Sequence, residues 1–208
     1  MTTPRQHKLL EPALAVYVQI DGQFVQAGKL DFADDALGFQ ARFQYAPEYL
    51  ALANQGKAFA LDPINLPLRP TAFTSSNRYH CLGALFDAAP DAWGRTIMAI
   101  DEGVSPESLR ESQVLIKGKG SGVGAIVFGT FTKKGQALPA SIDQALPRID
   151  DINHLYKTIT ALESGTLLQD SLRSLLMSSW DIGGARPKAI IEDENGVQWI
   201  TKFPRKTD

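Results

Sequence analysis

The sequence contains a single cysteine, Cys81, among 208 residues. One thiol cannot form an internal disulfide, so the disulfide framework of a small secreted domain is excluded. No stretch approaches the roughly 18 consecutive apolar residues of a membrane-spanning helix. The first ten residues, MTTPRQHKLL, also lack the apolar segment of a signal peptide. These absences predict a cytoplasmic protein without a membrane partner.

An excess of positive charge is absent as well. Lysine and arginine number 21 and aspartate and glutamate 23, which gives a net charge of −2. Binding to nucleic acid needs a basic surface, so this balance predicts no direct nucleic-acid partner. His7, His80 and His154 do not have the spacing of metal ligands, and the sequence predicts no metal site.

Apolar residues are sufficient for a core. The hydrophobic fraction is 44%, close to the average of globular chains, so the length predicts one large or two small domains. Apolar residues recur at every second position from 14 to 20, which predicts a strand. Asp21-Gly22 is a hairpin-turn signal, and further strands are predicted over 24–32 and 38–43. The aromatic residues nearby are expected in the core: Phe39, Phe43, Tyr45 and Tyr49.

The middle of the chain combines prolines with helical spacing. Pro63, Pro67 and Pro70 predict a winding connection over 46–70 without a long helix. A first helix is predicted to begin at Pro90. A second is predicted to begin after Ser105, which would be its N-cap. The remaining predicted elements are a strand over 125–128 and helices over 152–162 and 167–177.

Two carboxylates lie close to the start of the helix predicted at Pro90. Asp87 and Asp91 have the spacing expected of residues at a helix start. We therefore expect both to accept hydrogen bonds from backbone N–H groups and to balance the charge of Arg95.

The C-terminal region combines a glycine loop with a lysine on a strand. Residues 180–188 are predicted to form the loop, and Asn195-Gly196 predicts a hairpin whose second strand carries Lys202. Small residues allow a backbone to approach phosphate groups, and a strand lysine can pair with phosphate oxygens. Neither GxGxxG nor the Walker A pattern is present. Spacing alone therefore leaves two alternatives open: a nucleotide site, or an ordinary turn followed by a solvated lysine.

Two segments near the C-terminus resemble the start of the kinase core in the HipA family. They are residues 182–189 (IGGARPKA) and 199–204 (WITKFP). Further segments are similar to the N-terminal region of that family: residues 42–45 (RFQY), 58–67 (AFALDPINLP), 90–95 (PDAWGR) and 123–125 (VGA).

The resemblance implies a serine/threonine protein kinase of a type II toxin–antitoxin system that uses ATP and Mg²⁺. It also implies a HipB-type DNA-binding antitoxin as partner and a protein substrate such as an aminoacyl-tRNA synthetase. The nucleotide-binding residues would be Gly183, Gly184, Ala185, Arg186, Lys188 and Lys202. The implied fold class is α+β, with an antiparallel β-rich accessory subdomain over 13–131 and the opening of a kinase N-lobe over 150–208.

The sequence departs from the family at two points. The catalytic and metal-binding aspartates of the family lie downstream of the segment that Lys202 matches, so we expect no catalytic residue in this chain and no activity from it alone. Asp181 replaces a serine that many relatives carry before the loop. Asp181 could imitate part of a phosphoserine's charge or act as a cap. The alternative function is a naturally short, non-catalytic regulator that binds a HipA-type kinase or its antitoxin.

Overall fold

The computed structural model describes residues 13–35, 38–76, 81–118, 124–139, 146–163 and 187–204. The protein is a mixed α+β structure with antiparallel sheets and several helices. The described strands are β1 (Leu14–Ile20), β2 (Gln23–Asp35), β3 (Gly38–Tyr45), β4 (Phe73–Ser75), β5 (Ile126–Phe131), β6 (Ala137–Pro139), β7 (Lys188–Glu192) and β8 (Gln198–Lys202). The described helices are α1 (Pro47–Asn54), α2 (Gly83–Phe86), α3 (Ala92–Glu102), α4 (Glu111–Gly118) and α5 (Ile152–Glu163).

Compactness divides the chain into two units that alternate along the sequence. The first contains the described residues up to Ala88 together with 115–118 and 124–139. The second contains 89–114, 146–163 and 187–204. The domain bounds expected from the family resemblance stay a prediction, because these units are defined by spatial contacts and not by similarity to a family.

The first unit is built on one antiparallel sheet. Among the described residues its strand order is β4-β3-β2-β1-β5-β6. The predicted hairpin joins β1 to β2, and both turn residues have positive φ, 49° at Asp21 and 78° at Gly22. Such φ values at both central positions are typical of a two-residue hairpin turn, whose twist matches that of the strands. The β-meander predicted from the alternation is confirmed.

An eight-residue helix, α1, lies inside the proline-rich connection. It begins at Pro47, where the missing N–H of proline costs no helical hydrogen bond. The buried Tyr45 then holds the following loop, since its hydroxyl donates to the Leu66 carbonyl at 2.6 Å and accepts from the Leu61 N–H at 2.9 Å. The Tyr45 ring stacks on Tyr49 at 5.7 Å. The expected core positions of Phe43, Tyr45 and Tyr49 are confirmed, whereas the side chain of Phe39 lies outside what the structure describes.

The second unit packs helices α3 and α5 against one face of the β7–β8 hairpin. Its core joins side chains from α3, α5, β7 and the segments next to them: Trp93, Ile97, Met98, Ala99, Leu109, Val114, Leu155, Ile159, Ala189, Ile191 and Phe203. Ala189, Ile191 and Phe203 share a face because strand side chains alternate. The helices predicted from Pro90 and over 152–162 are confirmed.

The helix predicted after Ser105 differs in form. Pro106–Ser108 is a single 3₁₀ turn, and Ser105 makes no side-chain cap. The Ser105 hydroxyl instead lies 3.0 Å from the Ser108 hydroxyl. The α-helix α4 begins only at Glu111. Ser105 thus occupies the predicted N-cap position, but of a 3₁₀ turn, and the expected capping hydrogen bond from its side chain is absent.

Within the described ranges, no helix is both long enough and apolar enough to cross a membrane.

Candidate functional site

The predicted nucleotide-binding residues fall partly within the structure. Gly183, Gly184, Ala185 and Arg186, and the predicted regulatory residue Asp181, lie outside the described residues. The helix predicted over 167–177 lies outside them as well. Lys188 is the first residue of β7, and Lys202 is the last residue of β8. The site can therefore be built from the hairpin.

The turn of the β7–β8 hairpin is organised by one carboxylate. Asp193 accepts hydrogen bonds from the backbone N–H of Asn195 at 2.9 Å, from that of Val197 at 3.0 Å, and from the indole N–H of Trp199 at 2.9 Å. These bonds stabilise the charged form, so the pKa of Asp193 is lowered, with the Trp199 bond as the largest cause. Gly196 has a φ of 78°, which glycine adopts without strain. The hairpin predicted at Asn195-Gly196 is confirmed.

The opposite, open end of the hairpin carries two lysines. Lys188 and Lys202 are directly opposite in the strand register. The backbone N–H of Phe203 donates to the Pro187 carbonyl at 2.9 Å and closes this end. Like charges directly opposite each other destabilise a strand pair. The arrangement therefore needs a compensating negative charge, from the protein or from a ligand.

The two lysines are exposed to very different degrees. Lys202 is exposed, and in the described part of the chain it forms no ion pair. Lys188 is only 6% exposed, and its ammonium nitrogen lies 3.9 Å from Oδ2 of Asp91. Ile200, the neighbour of Lys202 on the same face of β8, is itself 57% exposed. One lysine is thus held inside the second unit, and the other is presented outward.

Asp91 performs the capping role predicted for it. Its backbone is extended, with φ −79° and ψ −165°, and its Oδ1 accepts from the N–H groups of Trp93 at 3.0 Å and Gly94 at 3.2 Å. Its other oxygen, Oδ2, is buried and accepts no hydrogen bond. No sequence pattern indicates the contact with Lys188, because the two residues are far apart along the chain.

Arg95 is balanced by a different carboxylate from those predicted. Its guanidinium forms two hydrogen bonds to Glu111, at 2.9 and 2.8 Å, in a largely buried ion pair. Asp87 is not at a helix start either, because it occupies the C-cap position of α2. The prediction that Asp87 and Asp91 balance Arg95 was wrong, since Glu111 offers both oxygens to the planar guanidinium.

Apolar side chains of the hairpin are also exposed. Val197, Trp199 and Ile200 are 50%, 54% and 57% exposed. Among the described strands, β8 pairs only with β7. Backbone groups on the other side of β8 therefore face away from β7, next to apolar side chains.

The arrangement can attract an anion at the open end of the hairpin. Lys202 offers three N–H donors at the end of β8. The next residue, Phe203, is buried in the core and anchors this end of the strand. Within the described residues, no group of three or more His, Cys, Asp or Glu residues is placed to bind a metal ion. No protein-family model, curated protein or solved structure matches the chain.

Proposed function

We propose that this chain is the N-terminal part of a HipA-type serine/threonine protein kinase of a toxin–antitoxin system, and that it anchors ATP at the Lys202 end of the β7–β8 hairpin. The motifs at 182–189 and 199–204 suggest the family. The observation that supports the site is the pair of directly opposed lysines at the open end of the hairpin.

This pair fits a polyphosphate better than it fits a purely structural role. Two lysines directly opposite each other cost stability in a sheet. Lys202 ends an exposed strand, and the residue after it, Phe203, is buried in the core. Lys202 forms no ion pair in the described part of the chain, so its desolvation cost is small and its donors can reach a ligand. ATP would supply the phosphoryl group, and Mg²⁺ would accompany it. The residues of this chain would bind and orient the phosphates.

The test is equilibrium binding of a fluorescent ATP analogue with Mg²⁺ to the full chain. Lys202→Ala removes the strand cation, and a charge-assisted hydrogen bond to a phosphate contributes about 1.5–3 kcal/mol. We therefore expect Kd to rise about tenfold or more. Lys157→Ala is the matched control, because Lys157 is an exposed lysine of α5 in the same unit.

Three results decide the proposal. Weaker binding by Lys202→Ala with unchanged binding by Lys157→Ala supports it. Equal weakening by both variants means that only net charge matters, and the site is then wrong. Absence of ATP binding by the unaltered chain rejects nucleotide anchoring.

One observation favours the second candidate, a non-catalytic regulator of a HipA-type kinase or its antitoxin. Trp199 and Ile200 of β8, and Val197 just before this strand, are all at least half exposed, and exposed apolar residues can mark an interaction site. A purified HipB-type antitoxin or the C-terminal lobe of a HipA-type kinase would be titrated against the chain. Binding that Trp199→Ser abolishes, with no ATP binding, would favour this candidate over the first.

A further inference from the structure

The two oxygens of Asp91 contact different elements. Oδ1 caps helix α3 through the N–H groups of Trp93 and Gly94. Oδ2 faces the ammonium of Lys188 at 3.9 Å and accepts no hydrogen bond. One carboxylate therefore links the start of α3 to the first residue of β7.

The burial of Lys188 calls for an opposite charge beside it. A buried ammonium is strongly destabilising unless an opposite charge lies close to it. Lys188 is 6% exposed and directly opposite a second lysine. In the described residues, Asp91 is the carboxylate that forms an ion pair with it.

We propose that Asp91 is a positioning residue for the open end of the β7–β8 hairpin. Its negative charge holds the buried Lys188 in place directly opposite Lys202, and the exposed Lys202 receives an anionic phosphate group at this end. The identity of the anion as ATP rests on the proposed function, whereas the positioning of Lys188 does not.

The hydrogen bond that closes this end provides a direct readout. The N–H of Phe203 donates to the Pro187 carbonyl at 2.9 Å. If Lys188 loses the charge of Asp91, β7 and β8 should separate first at this bond. Amide hydrogen exchange measures such local opening one residue at a time.

Asp91→Asn isolates the charge from the cap. Asparagine caps helices about as well as aspartate, so α3 keeps its first-turn hydrogen bonds. We expect the Phe203 amide to exchange about tenfold faster or more, while the amides of Trp93 and Gly94 keep their protection. Asp150→Asn removes the same charge from an exposed residue of this unit and should change neither.

A double variant tests whether Asp91 acts through Lys188. Asp91→Asn combined with Lys188→Met removes both charges and keeps an unbranched chain of similar length. Replacing a buried ion pair with an apolar side chain is often neutral, so the exchange of Phe203 should return to near its original rate. ATP affinity should fall in Asp91→Asn, where this end of the hairpin opens, and should recover in the double variant together with the protection of Phe203.

The amide-exchange and ATP-affinity measurements separate the positioning role of Asp91 from the proposed function. Unchanged Phe203 exchange in Asp91→Asn, or no recovery in the double variant, overturns the positioning role and leaves Asp91 a helix cap only. ATP affinity that is equal or higher in Asp91→Asn overturns its role at an anion site. Faster exchange in Asp91→Asn, with no ATP binding by the unaltered chain, supports the positioning role and rejects the proposed function.

Discussion

The two hairpins of this protein start from similar turn signals and end in different environments. Asp21-Gly22 joins β1 to β2, and β1 is covered on both faces, with residues 14–18 all buried. Asn195-Gly196 lies in the turn between β7 and β8, and no residue of β8 is buried. A turn signal therefore specifies where a chain reverses, but the neighbouring elements decide whether the hairpin becomes core or surface. The exposed hairpin is the one that carries the candidate site.

The largest expected effect concerns the buried hairpin. Gly28 of β2 has no room for a side chain: a Cβ there would overlap the Gln44 carbonyl oxygen and lie 2.7 Å from the Phe43 ring. Gly28→Ala should lower the free energy of unfolding by about 3 kcal/mol, because the Gln44 carbonyl belongs to the backbone of the paired strand β3 and the Phe43 ring is buried. Urea unfolding measures this loss.

The control for that prediction is Gly83→Ala. A Cβ at Gly83 would have no neighbour within 4 Å. The free energy of unfolding of Gly83→Ala should therefore change little. Equal urea midpoints for Gly28→Ala and the unaltered chain would show that the sheet can shift at this point. The buried β1–β2 hairpin would then not differ in rigidity from the exposed β7–β8 hairpin.

An intermediate effect is expected for Tyr45→Phe, in the loop beside the same sheet. The change leaves the Leu61 N–H and the Leu66 carbonyl without their hydroxyl partner, which should cost about 2 kcal/mol in unfolding experiments. Tyr49→Phe is the matched comparison, because its hydroxyl donates one bond, to the Phe59 carbonyl. It should cost less.

Tyr45 also predicts a pH dependence. Burial raises its pKa to about 12, above the value of about 10 in an unfolded chain. The unfolded state therefore loses its proton first as the pH rises. The stability that Tyr45 contributes should be complete below pH 10 and should decline as the pH rises towards 12. Tyr45→Phe should lack this part of the alkaline decline, and identical alkaline profiles for the two proteins would contradict the prediction.

The smallest effect is expected at the exposed hairpin. Asp193→Ala removes three hydrogen bonds from the turn, but the carboxylate is exposed, so the melting temperature should fall by only a few degrees. The lowered pKa of Asp193 means that the unfolded state takes up the proton first. The contribution should be present above about pH 4 and should be lost as the pH falls further. If Asp193→Ala lowered the melting temperature at pH 7 as much as Tyr45→Phe does, the prediction of a smaller effect at the exposed hairpin would be contradicted.

Local patterns in the sequence predicted much of this fold. Alternation and the turn pairs identified both hairpins, and Pro90 followed by periodic apolar residues identified α3. The helix α1 was missed because three nearby prolines, Pro63, Pro67 and Pro70, dominated the segment, although Pro47 is itself a good first helical residue.

Contacts between distant segments could not be predicted in the same way. Arg95 has Asp91 four residues away, yet its partner is Glu111, because the packing of the second unit decides which carboxylate reaches the guanidinium. Lys188 would be exposed by simple alternation with Ala189, yet both residues are buried. The assignment of Lys202 to ATP stays a prediction, and the fold now supplies the neighbours against which it can be tested.

The outermost strands of the first unit have a further consequence for the protein in concentrated solution. Among the described residues, β4 and β6 are the outermost strands of its sheet, and each has three residues. Short outer strands give another sheet little backbone to pair with, and Pro139 in β6 has no N–H to offer. The five residues of β8 offer a longer, partly apolar strand. Self-association of the purified protein should therefore respond to charged substitutions on β8 and hardly at all to changes on β4 or β6.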